Sequence, residues 1–323
     1  MLLDTRLAAQ TTQQAMGTIM VHKAFGEQAD DSLAAVCSEV MRMERLLSRF
    51  LPGSDIDRIN QSAGFKSEPV NPNTYTVLSK AAEFSKQFPG CFDVTIEPLV
   101  ALWALSKASL NPPDEDSIQQ TLALVNADDL ILDPWEMSAG LRYSGQAIDL
   151  GGIGKGFTGD RLLEVFKAFG IPSACSNLGG NVVTRGTKPD GSPWQVGIQH
   201  PRQENRLIGS VSVVGQSVVT SGDYQRYFID RQGKRRHHIL NPTTGYPAES
   251  GWVSVSVITE TSLTADALST LLFVAGKEKS LEYLSHFPAA EAVFIDADLQ
   301  IFITQGLKNR FQADQGSKIT IFS

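Results

Sequence analysis

Cysteine is scarce in this chain. Cys37, Cys91 and Cys175 are the only three among 323 residues, and none belongs to a CxxC pair. An odd, scattered set excludes a disulfide framework and gives no sign of a cysteine-based zinc site. Cys37 falls on the apolar side of its segment and is expected as a small buried hydrophobe. Positive charge is also short. Against 35 Asp and Glu stand 28 Lys and Arg, a formal net charge of −7. Such a chain repels phosphate backbones, which argues against nucleic acid as a partner. An anionic ligand then needs a local device: a metal, a glycine-rich backbone cradle or a few well-placed cations. Long apolar runs are missing too. No stretch approaches the roughly 20 residues that span a bilayer. The N-terminus, MLLDTRLAAQTTQQAMGT, has no basic segment followed by an apolar one, so it does not read as a secretory leader. A cytoplasmic location is expected, or a periplasmic one if a leader has been removed. Repeats and low-complexity linkers are absent. One unit over residues 15–323 is expected, behind a disordered extension at 1–14.

The remaining composition, 42% hydrophobic and 20% charged, is ordinary for a globular chain with a sizeable core. A first strand is expected from Gly17 to Lys23. Leu33, Val36, Val40, Met43 and Leu47 recur at spacings of three and four, which predicts a helix over Asp31 to Leu47. Asp30 to Ser32 offer its N-cap. A loop and short helix follow over Ser48 to Asn60. A second main helix is predicted over Thr74 to Phe88, stopped by Pro89-Gly90. A third spans Glu115 to Val125, before a strand at Leu130 to Leu132. A fourth runs from Lys155 to Phe169. Strands then dominate: Trp194 to Ile198, Gly209 to Val214, Val253 to Ile258, Ala292 to Ile295, Gln300 to Thr304 and Lys318 to Phe322. One helix, Ser262 to Val274, interrupts them. Helices early and strands late predict an α+β fold with a mostly antiparallel sheet and a helical lobe.

Four segments could carry chemistry. Asp149-Leu-Gly-Gly-Ile-Gly-Lys-Gly-Phe157 holds four glycines just before a helix. Its backbone can approach a ligand closely, and the helix N-terminus and Lys155 suit a phosphate. The same residues also fit a plain strand-to-helix turn. No Ser or Thr follows the Gly-Lys pair, so it is not a P-loop, and the spacing is wrong for GxGxxG. Asn177-Leu-Gly-Gly-Asn181 reads as a bulge or close-packed turn. Thr220 to Phe228 and His237 to Pro247 bring hydroxyls, a carboxylate, an arginine and two histidines together. Adjacent histidines on a strand face opposite sides, so one of them at most serves a given site. Histidine is the natural base near neutral pH. Asp266 and Thr270, four apart on the Ser262 to Val274 helix, share a face. Carboxylate and hydroxyl oxygens suit a hard cation such as Mg2+; a capping Asp266 beside a packing Thr270 is the alternative.

Together these segments resemble the ApbE family of FAD:protein FMN transferases. The matching pieces keep the family order: Ala15-Met-Gly-Thr18; Leu47-Ser-Arg-Phe50 with Ser54, Ile56, Ile59 and Asn60; Phe92-Asp-Val-Thr95 with Pro98-Leu99 and Leu102-Trp103. Then come Asp149 to Phe157 with Asp160, Asn177 to Asn181, Trp194 to Pro201, Ser221 to Phe228, His238 to Pro247 and Ala265 to Thr270. The resemblance implies a T-fold-like, mostly antiparallel sheet with a helical lobe and an FAD cleft between them. It also implies a reaction: a Thr or Ser hydroxyl of a partner protein attacks the FMN-side phosphorus of FAD, AMP leaves, and FMN stays as a phosphoester. Magnesium and positioning carry most such phosphoryl chemistry. Asp266 and Thr270 match the family's metal ligands, with the Gly152 carbonyl as a third. His238 matches the base, so that His238 and Asp266 form the catalytic pair. Lys155 would face the phosphates. Met16, Asp93, Tyr224 and Thr244 match positions bordering the flavin cleft, and Asp149 lies nearby or holds the loop. Implied partners are FAD and a flavin-accepting redox or electron-transport protein.

Three departures stand out. Family members are commonly exported, many as lipoproteins, and neither a leader nor a lipobox cysteine is seen. Gln225 and Asn241 stand where acids are frequent. The stretch after Trp103 lacks a glycine often found there, so a different cleft entrance is expected. Two other readings stay open: magnesium-dependent hydrolysis of FAD to FMN and AMP, with water as nucleophile, and a non-catalytic flavin-binding protein with a defective metal site.

Overall fold

The computed structural model describes residues 8–314 and 318–322. It opens with a hairpin of β1 (Ala8–Ala15) and β2 (Thr18–Phe25), followed by α1 (Ala29–Leu47) and α2 (Asp55–Gln61). Next come β3 (Glu68–Pro69), α3 (Pro72–Gln87), α4 (Glu97–Ser109), α5 (Glu115–Leu122), β4 (Leu130–Asp133) and β5 (Ser138–Leu141). After α6 (Gly154–Ala168) run β6 (Ser173–Leu178), β7 (Asn181–Arg185), β8 (Trp194–Gln199), β9 (Leu207–Val213) and β10 (Ser217–Gly222). The rest is β11 (Tyr227–Ile229), β12 (Arg235–His237), β13 (Trp252–Thr259), α7 (Ser262–Ser285), β14 (Glu291–Asp296), β15 (Ile301–Ile303), β16 (Phe311–Ala313) and β17 (Ile319–Ile321).

Nine strands form the main sheet, in the order β1-β2-β6-β7-β10-β13-β14-β15-β17. Every neighbouring pair is antiparallel except β15–β17, as the α+β reading expects. Side chains alternate between two cores. On β14, Ala292 and Phe294 join the helical side, while Val293 and Ile295 join the opposite side under β8 and β9. Covered on both faces, β13 is buried along its whole length. On the helical face α1 lies over β1 and β2, α6 over β6 and β7, and α7 over β10 and β13. The lobe of α2, α3 and β3-β5-β4 shares one apolar core with α7.

Several elements differ from the expectations. Residues 8–14, expected to be disordered, build β1; the rest of that extension lies outside the described residues. Helix α1 starts at Ala29, two residues early, with Gln28 at the N-cap and no side-chain cap bond. Ser32 lies inside the helix and donates to the Ala29 carbonyl at 2.7 Å. Cys37 is half-buried rather than core. Helix α5 stops at Leu122. Helix α4 is unforeseen: its sequence, EPLVALWALSKAS, is apolar nearly all round and shows no single stripe. It carries the chain past Trp103 as helix to Ser109. Helix α7 resumes beyond Val274, after a break at Gly276 where φ is 76°. Among the described residues, no helix is long and apolar enough to cross a membrane.

Candidate functional site

Helices α6 and α7 set the floor of the site, and each caps the other. Asp160 on α6 accepts from the backbone N–H groups of Ser262 (2.6 Å) and Leu263 (2.9 Å) at the start of α7. Asp266 on α7 returns the contact, its Oδ2 accepting from Gly156 N at 2.7 Å in the first turn of α6. Both helix starts thus gain acceptors for otherwise unpaired amides. The crossing is tight because Gly156 has no side chain: a Cβ there would lie 2.3 Å from Ser262 O and 2.5 Å from Asp266 Cβ. The glycines of this segment therefore serve close packing as well as any ligand.

Above the crossing lies a cavity of about 420 Å³, within the size range of ligand sites. Asp266, Thr270 and Gly152 line one part of it. A Cβ on Gly152 would stand 3.3 Å from Thr270 Oγ1, so its backbone and that hydroxyl are neighbours. Asp266 is 3% exposed. Burial pushes its carboxyl up in pKa, and Lys155 and the Gly156 amide act against that. Thr270 Oγ1 lies 3.2 Å from Ser221 Oγ, which meets Ser269 Oγ at 2.8 Å. One carboxylate, one hydroxyl and nearby backbone form an oxygen-only set, which fits a hard cation such as Mg2+ and suits zinc poorly. Among the described residues, no three His, Cys, Asp or Glu side chains converge as a metal cluster; the set here contains a single such group.

The Lys155 ammonium acts on this carboxylate. Lys155, Arg226 and His238 all line the cavity. Lys155 Nζ donates to Asn181 Oδ1 at 2.9 Å. Burial pushes the Lys155 ammonium down in pKa, opposed by Asp266 and assisted by Arg226. His238 Nδ1 lies 3.1 Å from the Arg226 carbonyl. A carbonyl only accepts, so Nδ1 carries the hydrogen and Nε2 keeps its lone pair. Burial, then Arg226, pushes this imidazole down to about 3, so it is neutral near pH 7. His237 is the packing partner of the pair. It is buried, its Nε2 bonds the Ala248 carbonyl at 3.1 Å, and its ring meets Phe273 edge-on.

The remaining walls come from turns. Met16 and Gly17 form the two-residue β1–β2 turn with φ of 48° and 71°. A non-glycine residue in this region is uncommon and is held by its surroundings. Here Met16 N donates to Glu44 Oε1 at 2.6 Å, and Thr158 Oγ1 reaches Met16 Sδ at 3.6 Å. Asp93 lines the cavity, but its oxygens are engaged by Thr95 N, Thr95 Oγ1 and Ala127 N at 2.7–3.0 Å. It therefore shapes the wall. Asp149 holds the glycine loop: Oδ1 accepts from Gly151 N at 2.6 Å and Oδ2 pairs with Arg49 at 2.9 Å.

Two expected residues stand apart. Tyr224 is not among the cavity-lining residues; its hydroxyl reaches Ser254 at 3.3 Å and its ring packs on Gly222. Thr244 is exposed and also off the lining, in a turn where Asn241 Oδ1 accepts from Thr243 N and Thr244 N. An Asp at 241 would make the same turn, so that departure is structural. Gln225 does line the cavity. Arg226, Ser221, Arg49 and Phe50 also line it. They sit inside motifs read from the sequence but received no role, because spacing does not tell which side of a loop faces a cavity.

The sequence matches the ApbE family over residues 16–294. An FAD:protein FMN transferase of Klebsiella pneumoniae (strain 342) is 35% identical over 307 residues, covering 94% of each chain. One from Treponema pallidum (strain Nichols) is 32% identical over 316 residues, 91% of this chain and 86% of that one. The crystal structure of the ApbE protein from Thermotoga maritima superposes with a TM-score of 0.86 at 29% identity, over 94% of this chain and 99% of that one. With the family model matching most of the chain and fold and sequence alike over nearly its full length, the chain belongs to the ApbE family.

Proposed function

We propose that this protein transfers FMN from FAD to a Thr or Ser hydroxyl of an acceptor protein, releasing AMP, with Mg2+ as cofactor. The observation that carries the reading is the juxtaposition, in one cavity, of an oxygen-only set (Asp266, Thr270, Gly152) with Lys155, Arg226 and His238. A dinucleotide pyrophosphate needs both: oxygen ligands for a cation and fixed positive charge for phosphate oxygens. When bound, magnesium neutralises phosphate charge and assists departure of the leaving group. Lys155 and Arg226 place positive charge on the same phosphates. Nε2 of His238 accepts the acceptor hydroxyl's proton. The hydroxyl oxygen then forms the new bond to the FMN-side phosphorus as the bond to the AMP oxygen breaks. The low pKa of His238 belongs to the cavity without an anion. A pyrophosphate offsets the charge of Arg226, which is a cause of the depression, and so strengthens the base when substrate is present.

The test is incubation with FAD and Mg2+, with and without a threonine-bearing acceptor peptide, read by mass spectrometry. Peptide carrying FMN, together with AMP, is the expected result. AMP and free FMN beside an unmodified peptide would point to hydrolysis; intact FAD in both tubes would leave only a flavin binder. Asp266→Ala should abolish the reaction, and turnover at the parent rate under limiting Mg2+ would remove Asp266 from the metal site.

A further inference from the structure

Asn181 has no place in the scheme above, yet it is one of the most confined polar residues at the site. It opens β7 directly after the Gly179-Gly180 turn and pairs in register with Leu178. That turn is fixed in several ways. Gly179 and Gly180 have φ of 64° and 101°. Asn177 Oδ1 accepts from Gly180 N at 2.7 Å, and a Cβ on Gly179 would strike Thr18 Oγ1 at 2.3 Å. The Asn181 side chain is therefore delivered to one place, and the residue is 1% exposed. Lys155 Nζ lies 2.9 Å from its Oδ1. An ammonium only donates, so the carbonyl end of the amide faces Lys155 and the NH2 end must point elsewhere. That Nδ2 is buried and makes no close hydrogen bond to any described residue, but its N–H is directed at Asp266 and favours the charged carboxylate. The amide thus stands between ammonium and carboxylate, accepting from the one and offering its N–H to the other.

Lys155 and Asp266 are opposite charges in a poorly solvated place, and each perturbs the other. Such a pair attracts strongly when water is scarce. They nevertheless form no direct ion pair: Lys155 is held by Asn181, and Asp266 Oδ2 is held by Gly156 N. We infer that Asn181 is a spacer that keeps Lys155 from closing onto Asp266, leaving an Asp266 oxygen for a cation and the Lys155 ammonium for an anion. Asn181 is thus a positioning residue. The part concerning the cation rests on the magnesium reading above; the part concerning the ion pair does not.

The test is Mn2+ binding to the protein alone, without FAD, followed by the electron paramagnetic resonance of free Mn2+. Asn181→Ala should raise the Mn2+ dissociation constant by roughly ten- to a hundredfold, the usual effect of losing a group that orients a metal ligand. In a Lys155→Met background the same change should have no effect, because no ammonium remains to collapse. Equal losses in both backgrounds, or no loss in either, would overturn the spacer role. Asn181→Ser is carried in parallel in case the alanine variant does not fold. A crystal structure of either variant gives a second, metal-free readout: Lys155 Nζ in direct contact with an Asp266 oxygen is expected, and a Lys155 that stays apart refutes the idea. If the parent protein binds no Mn2+ and Asp266→Ala changes nothing, the metal reading fails while this structure still decides the spacer.

Discussion

Gly156→Ala puts the α6–α7 crossing to a test of sign. In an isolated helix the change is favourable by about 1 kcal/mol, since alanine is the better helix former. Here the new methyl would meet Ser262 O at 2.3 Å, Asp266 Cβ at 2.5 Å and Leu263 Cα at 2.9 Å. Two of these atoms are backbone and the third is a Cβ, so no rotamer change relieves them. For an ordinary contact near 3.4 Å, α6 and α7 must separate by about 1 Å, an overpacking worth about 1–3 kcal/mol. That movement also stretches the 2.7 Å bond from Gly156 N to Asp266, and a hydrogen bond to a charged group contributes about 1.5–3 kcal/mol. The balance is a net loss of about 3 kcal/mol, hence a fall in Tm of about 4 °C for a chain of this length. Thermal unfolding followed by circular dichroism measures it. Gly154→Ala is the comparator, because its Cβ would meet only Leu150 Cβ at 3.4 Å; it should lie within about 0.5 kcal/mol of the parent. A Gly156→Ala protein that melts at or above the parent would show that the crossing is not tight, and that Asp266 is not placed by it.

Other perturbations address single groups. His238→Gln should slow FMN transfer by about 10²-fold or more while FAD affinity stays within about twofold; transfer at the parent rate would take His238 out of the base role. Asp160→Ala removes the acceptor for Ser262 N and Leu263 N and should lower stability by about 1–2 kcal/mol in urea unfolding; an unchanged midpoint would mean that water caps α7 equally well. His22 gives a pH test. It is fully buried beside Ser176, and burial pushes it down to about 4. Between that value and 6.5 the unfolded chain holds a proton that the folded one does not. Its contribution is therefore full above pH 6.5 and declines as pH falls towards 4, by at most about 1.4 kcal/mol per pH unit. His22→Gln should flatten the fall in stability between pH 7 and 5, and a parallel curve would assign the slope to other groups.

Much of the fold and of the site's chemistry was legible in the sequence, for a physical reason in each case. The Leu33-to-Leu47 stripe gave α1 because a 3.6-residue period survives without any tertiary context. Pro89-Gly90 marked a helix end because proline restricts and glycine frees the backbone wherever they occur. Asp266 and Thr270 were readable as a pair because four residues on a helix return to the same face. The misses also have causes. Helix α4 buries Leu99, Trp103 and Ser106 but leaves apolar residues such as Leu105 exposed, so its pattern carries no clear period, and β6 (SACSNL) and β10 (SVVTSG) mix small polar residues into a sheet whose neighbours cover both faces. β1 needs β2 to exist as a strand, and its polar sequence, AAQTTQQA, reads as disorder without that partner.

The sequence by itself determined most of the helices, the antiparallel α+β class and which residue types were available for phosphate and cation chemistry, since these rest on local backbone preference and periodicity. Only the tertiary structure decided which of them meet. It put His238 in the cavity and His237 in the packing, and left Tyr224 and Thr244 off the lining. It brought Asn181, from a segment that read as a mere turn, to stand beside Lys155 and Asp266. Those outcomes depend on how α6 and α7 cross and on which face each loop presents. Contacts between residues some 26 and 110 positions apart leave no local trace in a sequence.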